Sequence, residues 1–114
     1  MTPSASNVLM GQGASPGRRS GRARVISESV SLLELVAGDV LIAVDAGPQW
    51  TPVFPILAGV VLEYGSLGQH SSITAREFGV PAVCGAAQAT QRIPDGAWVT
   101  LDGASGTVQW SLPN

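Results

Sequence analysis

Short apolar runs cut apart by glycine and proline set the limits on what this chain can fold into. Residues 39–44 (DVLIAV) and 59–64 (GVVLEY) have strand length, and 82–84 (AVC) is shorter still. Turn signals bound them, among them Gly47-Pro48 and the stretch DGASG at 102–106. With 14 glycines and 8 prolines among 114 residues, 45% apolar and 12% charged, the chain reads as globular and turn-rich rather than disordered. That length suits one domain with a real core. It is too short for a nucleotide fold joined to a second substrate lobe.

The remaining segments alternate with these runs. Residues 1–10 read as a flexible tail, residues 11–17 as a turn-forming approach, and the folded domain is assigned to 11–114, with regular structure beginning near Arg22. Residues 22–27 suggest a strand and 32–36 a short buried turn or helix. At 50–58, Thr51 can cap a short helix with Pro52 in its first turn, and Pro55 makes that helix irregular. A helix is expected over 71–78, with Ile73, Ala75 and Phe78 on its buried side and Gly79 at its end. A helical turn at 86–91 and two strands at 97–101 and 107–112 complete the chain. Strands with short helices between them predict an α/β fold, a sandwich of mixed sheets with helices around it.

Charge narrows the range of functions. The formal net charge is −2, from six arginines, no lysine and eight acids, so the total gives no support to binding of nucleic acid or anionic membrane. Arg18, Arg19, Arg22 and Arg24 crowd together as a small basic patch, but no aromatic residues interleave them, and a solvated loop with the outer face of a first strand is the expectation. The single cysteine, Cys84, excludes an internal disulfide and a cysteine-based metal cluster, and on its short apolar run it reads as buried and inert. One histidine and scattered acids assemble no metal site. No positive leader or bilayer-length apolar run is visible, and a cytoplasmic setting is the expectation. Gly11-Gln12-Gly13 lacks the strand and helix that a nucleotide loop needs. Of the three tryptophans, Trp50 is the one expected at a docking surface, with Trp98 and Trp110 in packing roles.

The chemistry concentrates around His70, the only histidine. It sits between the loop Gly65-Ser66-Leu67-Gly68-Gln69 and the expected helix, where backbone amides gather anionic groups. A neutral imidazole nitrogen is a nucleophile near pH 7. Once phosphorylated it presents three anionic oxygens, which the amides of Gly68, Gln69 and the helix start can receive, each charge near the helix dipole being worth about 0.3 to 1 kcal/mol. Ser71, Ser72 and Thr74 are candidates for phosphoryl contact, Ser71 and Ser72 through their amides, with helix capping as the alternative role. Arg76 is a candidate for direct phosphoryl contact or, more simply, for pairing with Glu77, Glu63 or Glu34.

The stretch GSLGQHSSITAREFGVPAVCG resembles the signature of the phosphohistidine swivelling domain, the mobile domain of phosphoenolpyruvate-utilising enzymes, whose usual pattern is close to GG-x-x-[ST]-H-[AG]-A-[IV]-x-[AS]-R-E-x-G-[IV]-P-A-V. Further matches are Ala14-Ser15-Pro16-Gly17, Gly38-Asp39-Val40-Leu41, Trp50-Thr51-Pro52 and Ala58-Gly59-Val60-Val61, so that the likeness extends over about residues 11–109. The resemblance implies a swivelling β/β/α sandwich in which His70 is phosphorylated by an ATP-using or phosphoenolpyruvate-using domain and hands the phosphoryl group to a pyruvate-like or other small acceptor. It further implies that the domain binds no cofactor of its own, ATP or phosphoenolpyruvate and magnesium being held by partner domains, on separate chains or on missing parts of a longer protein. The wording is nearer to the synthase and rifampicin-phosphotransferase branches than to the dikinase branch, and the start at Met1 favours a free-standing subunit. Gln69 stands where the pattern has Ser or Thr, and Ser66 where it has a second glycine. Those departures motivate a second reading, a binding module that keeps the fold without phosphoryl transfer.

Overall fold

A computed structural model describes residues 7–26, 34–46, 48–65 and 70–111. Its strands are β1 (Val8–Met10), β2 (Gln12–Ser15), β3 (Arg18–Val25), β4 (Val40–Ala43), β5 (Gly59–Leu62), β6 (Ala82–Cys84), β7 (Trp98–Asp102) and β8 (Thr107–Ser111). The helices are a 3-10 helix (Pro48–Ile56), α1 (His70–Phe78) and the single turn α2 (Ala89–Arg92). Strand order is β1-β8-β7-β3-β4-β5-β6-β2.

The long strand β3 belongs to two sheets. Arg18 to Arg22 pair antiparallel with β7, while Ala23 to Val25 pair parallel with β4. One side of β3 is therefore an antiparallel sheet continued by β8 and β1, and the other a parallel sheet β4-β5-β6 closed by antiparallel β2. All residues of β4, β5 and β6 are buried, as expected of a parallel sheet covered on both faces. Alternation splits their side chains between two cores. Val40, Ile42, Val61 and Val83 meet Val99, Leu101, Val108 and Trp110 of the antiparallel sheet, while Leu41, Ala43, Val60, Leu62 and Cys84 meet Trp50, Phe54, Leu57 and Ala75 of the helical layer. The result is the expected β/β/α sandwich. The sheets approach so closely at Gly59 that a Cβ there would lie 2.4 Å from Leu101 Cδ2.

Structure begins earlier than the sequence suggests. Val8–Met10 is an edge strand on β8 with Leu9 in the core, so the boundary drawn after residue 10 cuts through the antiparallel sheet. Gln12–Ser15 forms β2, a strand where a turn-forming approach is expected, and β1 precedes Gly11-Gln12-Gly13 although the sequence shows no strand there. The described part of residues 32–36 holds a buried Leu35. The arginine cluster lies along β3, with Arg18, Arg19 and Arg22 exposed as expected of a solvated face; Arg22 faces Asp39 at 3.7 Å, and Arg24 lies between Glu34 at 3.7 Å and Asp95 at 3.8 Å.

The β7–β8 turn is closed by Asp102, whose Oδ1 accepts from the Ala104 and Ser105 amides at 2.9 and 3.2 Å. Those amide bonds, with a smaller contribution from nearby Arg18, hold its carboxyl below the ordinary carboxylate value. A folded value below the unfolded one stabilises at pH above the unfolded carboxylate range and is lost as pH falls through the folded value. Thermal unfolding of Asp102→Ala should therefore show a shallower loss of stability on acidification than the wild type, the two curves converging in acid.

Candidate functional site

The site is built by α1 and the 3-10 helix on the outer face of the parallel sheet. Alpha-helix α1 begins at His70, one residue before the expected start, and ends in a Schellman motif: Val80 N–H donates to Ala75 at 2.9 Å and Gly79 N–H to Arg76 at 3.3 Å. Gly79 takes φ +68°, which explains the glycine there, and Pro81 follows.

The buried face of α1 is not the apolar one. Ser71, Ser72, Thr74 and Ala75 are buried, whereas Ile73 is 42% and Phe78 48% exposed. The helix packs against β2, β6 and the 3-10 helix, and small side chains allow that close approach where Ile and Phe would not fit. His70, Ile73 and Glu77 share the outward stripe at helical spacing. No acid occupies the first turn, so the positive end of the helix has no carboxylate of its own to neutralise it.

Two hydroxyls converge on the imidazole. Thr51 Oγ1 lies 3.2 Å and Thr74 Oγ1 3.3 Å from His70 Nε2. Thr51 is not a cap, because the 3-10 helix already begins at Pro48 and places Thr51 in its interior. Pro52 and Pro55 cannot donate backbone hydrogen bonds, which keeps this segment short and tightly wound instead of α-helical. Its Phe54 is buried beneath the site, and Trp50 is buried too. The exposed tryptophan is Trp98, at 56% on the opposite sheet, which reverses the expectation for docking surfaces: an indole in the helical layer fills the core, while β7 turns alternate residues to solvent.

The other site residues divide. Gly68 and Gln69 lie outside the described residues. Ser71 and Ser72 form the first turn of α1; the Ser72 side chain hydrogen-bonds Cys84, away from the helix start. Cys84 is buried, its thiol donating to Gln12 Oε1 at 3.9 Å, and burial pushes its pKa up, as suits an unreactive thiol. Arg76 Nη1 donates to the Ala14 carbonyl at 2.8 Å, tying α1 to β2. Of the expected acid partners, Glu34 pairs with Arg24, and Glu63 accepts from the Thr90 amide and hydroxyl at the start of α2. Arg76→Gln should cost about 1 to 2 kcal/mol in urea unfolding, the penalty for a strand carbonyl that loses a charged donor.

Sequence reading missed the pairing of Thr51 with His70. Its only trace was the Trp-Thr-Pro match, because nothing in local spacing brings residues 51 and 70 together.

Residues 35–106 match the family model "PEP-utilising enzyme, mobile domain". The rifampicin phosphotransferase of Streptomyces sviceus is 43% identical over 102 residues, covering 90% of this chain and 12% of the relative. The phosphoenolpyruvate synthase of Aeropyrum pernix is 38% identical over 109 residues, covering 93% of this chain and 13% of the relative. A solution structure of Enzyme I (nEIt) superposes with a TM-score of 0.63 at 31% identity, covering 75% of this chain and 35% of that one. The chain thus spans only 12 to 13% of the length of these two curated relatives. With well over half of its residues inside the family match, and with His70 in the matched segment at the start of an exposed helix, the chain belongs to the PEP-utilising enzyme mobile-domain family, the phosphohistidine domains of phosphoenolpyruvate-utilising phosphotransferases.

Proposed function

We propose that His70 is the phosphoryl carrier of this domain. The observation that carries the reading is the exposed imidazole on the first residue of α1, with no acid in the first turn and two hydroxyls at Nε2. A ring nitrogen attacks the donor phosphorus, an N–P bond forms, and the P–O bond to the donor breaks with its electron pair on the departing oxygen. In the return step the acceptor oxygen displaces the imidazole. Amides of Ser71 and Ser72, with Gly68 and Gln69 before them, receive the phosphoryl oxygens. Arg76 fixes α1 to β2 through the Ala14 carbonyl, and as a five-donor guanidinium it is also a candidate for phosphoryl contact.

ATP or phosphoenolpyruvate, with magnesium, belongs to partner domains, and the acceptor is a pyruvate-like or other small molecule chosen there. The test mixes the chain with the ATP-binding domain of a phosphoenolpyruvate-synthase relative and ATP labelled on its phosphates, then adds pyruvate and the relative's acceptor-binding domain. The expected result is acid-labile label on the chain that chases into a small-molecule product. Label that never forms, although the partner domain hydrolyses ATP, supports the binding-module reading instead.

A further inference from the structure

Of the two hydroxyls that meet the imidazole, Thr74 is the buried one, and no step of the phosphoryl transfer gives its proton a role. Its residue is only 4% exposed, and the hydrogen bond its hydroxyl makes among the described residues is to His70 Nε2, 3.3 Å away and one helical turn back. Within a helix a threonine hydroxyl ordinarily turns to a carbonyl three or four residues earlier; here it meets a side chain instead. A buried hydroxyl has one proton to place, and leaving that proton without an acceptor is costly. Nε2 can accept it only as the unprotonated nitrogen, which puts the ring proton on Nδ1. Thr51, half-buried and 3.2 Å from the same nitrogen, can also be served by water, so it constrains the ring less.

We propose that Thr74 is a positioning residue that fixes the neutral His70 ring as its Nδ1–H tautomer, so that Nε2 carries the lone pair used for phosphoryl uptake. The consequence for uptake rests on the carrier reading; the tautomer assignment does not. His70 is exposed, so solvent can satisfy Nδ1–H. The Thr74 bond is long enough to yield when a phosphorus atom approaches Nε2. Unconstrained neutral histidine in water favours the opposite tautomer, with its proton on Nε2, so the preference imposed by Thr74 is visible spectroscopically.

The test is nitrogen NMR of the His70 ring in the whole chain above its titration, for the wild type, Thr74→Val, Thr74→Ser and Thr51→Val. The wild type should show Nε2 unprotonated. Thr74→Val, which keeps the shape and removes the hydroxyl, should move the ring proton toward Nε2 and slow phosphoryl uptake roughly tenfold; Thr74→Ser should restore both, and Thr51→Val should move the tautomer less. Circular dichroism verifies that each variant is folded; if the valine variant is not, Thr74→Ala removes the same hydroxyl with less bulk, and the wild-type ring spectrum alone tests the tautomer. A wild-type ring already protonated at Nε2, or a tautomer unchanged in Thr74→Val, overturns the inference. A tautomer shift in a chain that never accepts a phosphoryl group upholds the positioning of the ring and removes the carrier reading instead.

Discussion

Replacing His70 with glutamine abolishes acid-labile phosphorylation of the chain and leaves its fold in place. The imidazole is exposed at the first position of α1, and it belongs to neither core cluster. Its loss opens no cavity, and Gln, a good helix former with an amide of its own, can still engage the Thr74 hydroxyl. The expected change in unfolding free energy is within about 1 kcal/mol. The chemical effect is all-or-none. An amide nitrogen is not a nucleophile, and no other imidazole exists in the chain to substitute. Label incorporated from ATP through an ATP-binding partner domain should fall to background while urea unfolding hardly moves. Incorporation that survives in His70→Gln would place the chemistry on another side chain.

Phe54→Ala is expected to have the largest effect on stability. Phe54 is 1% exposed and belongs to the core between the parallel sheet and the helical layer, together with Val60, Leu62 and Ala75. Removing its ring costs about 3 to 5 kcal/mol, because the prolines at 52 and 55 stiffen the segment and hinder it from collapsing into the space. A domain of this size has about 5 to 15 kcal/mol in total. The loss would appear as a lower urea midpoint with an unchanged slope. Thr51 lies three residues before Phe54 on the same 3-10 helix, so the variant should also loosen the hydroxyl at Nε2 and slow phosphoryl uptake. A cost below about 1 kcal/mol would mean that the 3-10 helix is not anchored by this ring.

The core strands and the carrier helix were legible because their signals are local. Residues 39–44 and 59–64 contain β4 and β5, residues 82–84 coincide with β6, and Gly79 before Pro81 marks the end of α1. What was hidden depends on partners far along the chain. The Gln12–Ser15 segment (QGAS) has no strand pattern of its own and becomes β2 only because β6 offers an open edge. Arg18 to Arg22 look like a polar loop, since their outer side faces solvent while β7 supplies the pairing. On α1 hydrophobicity misled: the helix buries serine and threonine because the space beneath it is narrow, and it leaves Ile73 outside. The histidine could be found from sequence, as could the amides around it. Its hydroxyl partners could not be read as such, because Thr51 arrives from another element, and Thr74, a candidate for phosphoryl contact or capping, gives no sign in the sequence that it meets the ring.

The most direct measurement is to locate the modification. The chain phosphorylated through an ATP-binding partner domain would be digested at neutral to alkaline pH and mapped by mass spectrometry, with an acid-treated sample alongside. The prediction is a single phosphoryl group on His70 that disappears in acid and on addition of the acceptor system. An acid-stable phosphate on Ser71, Ser72 or Thr74, or an unmodified His70 while the partner domain turns over ATP, would contradict it.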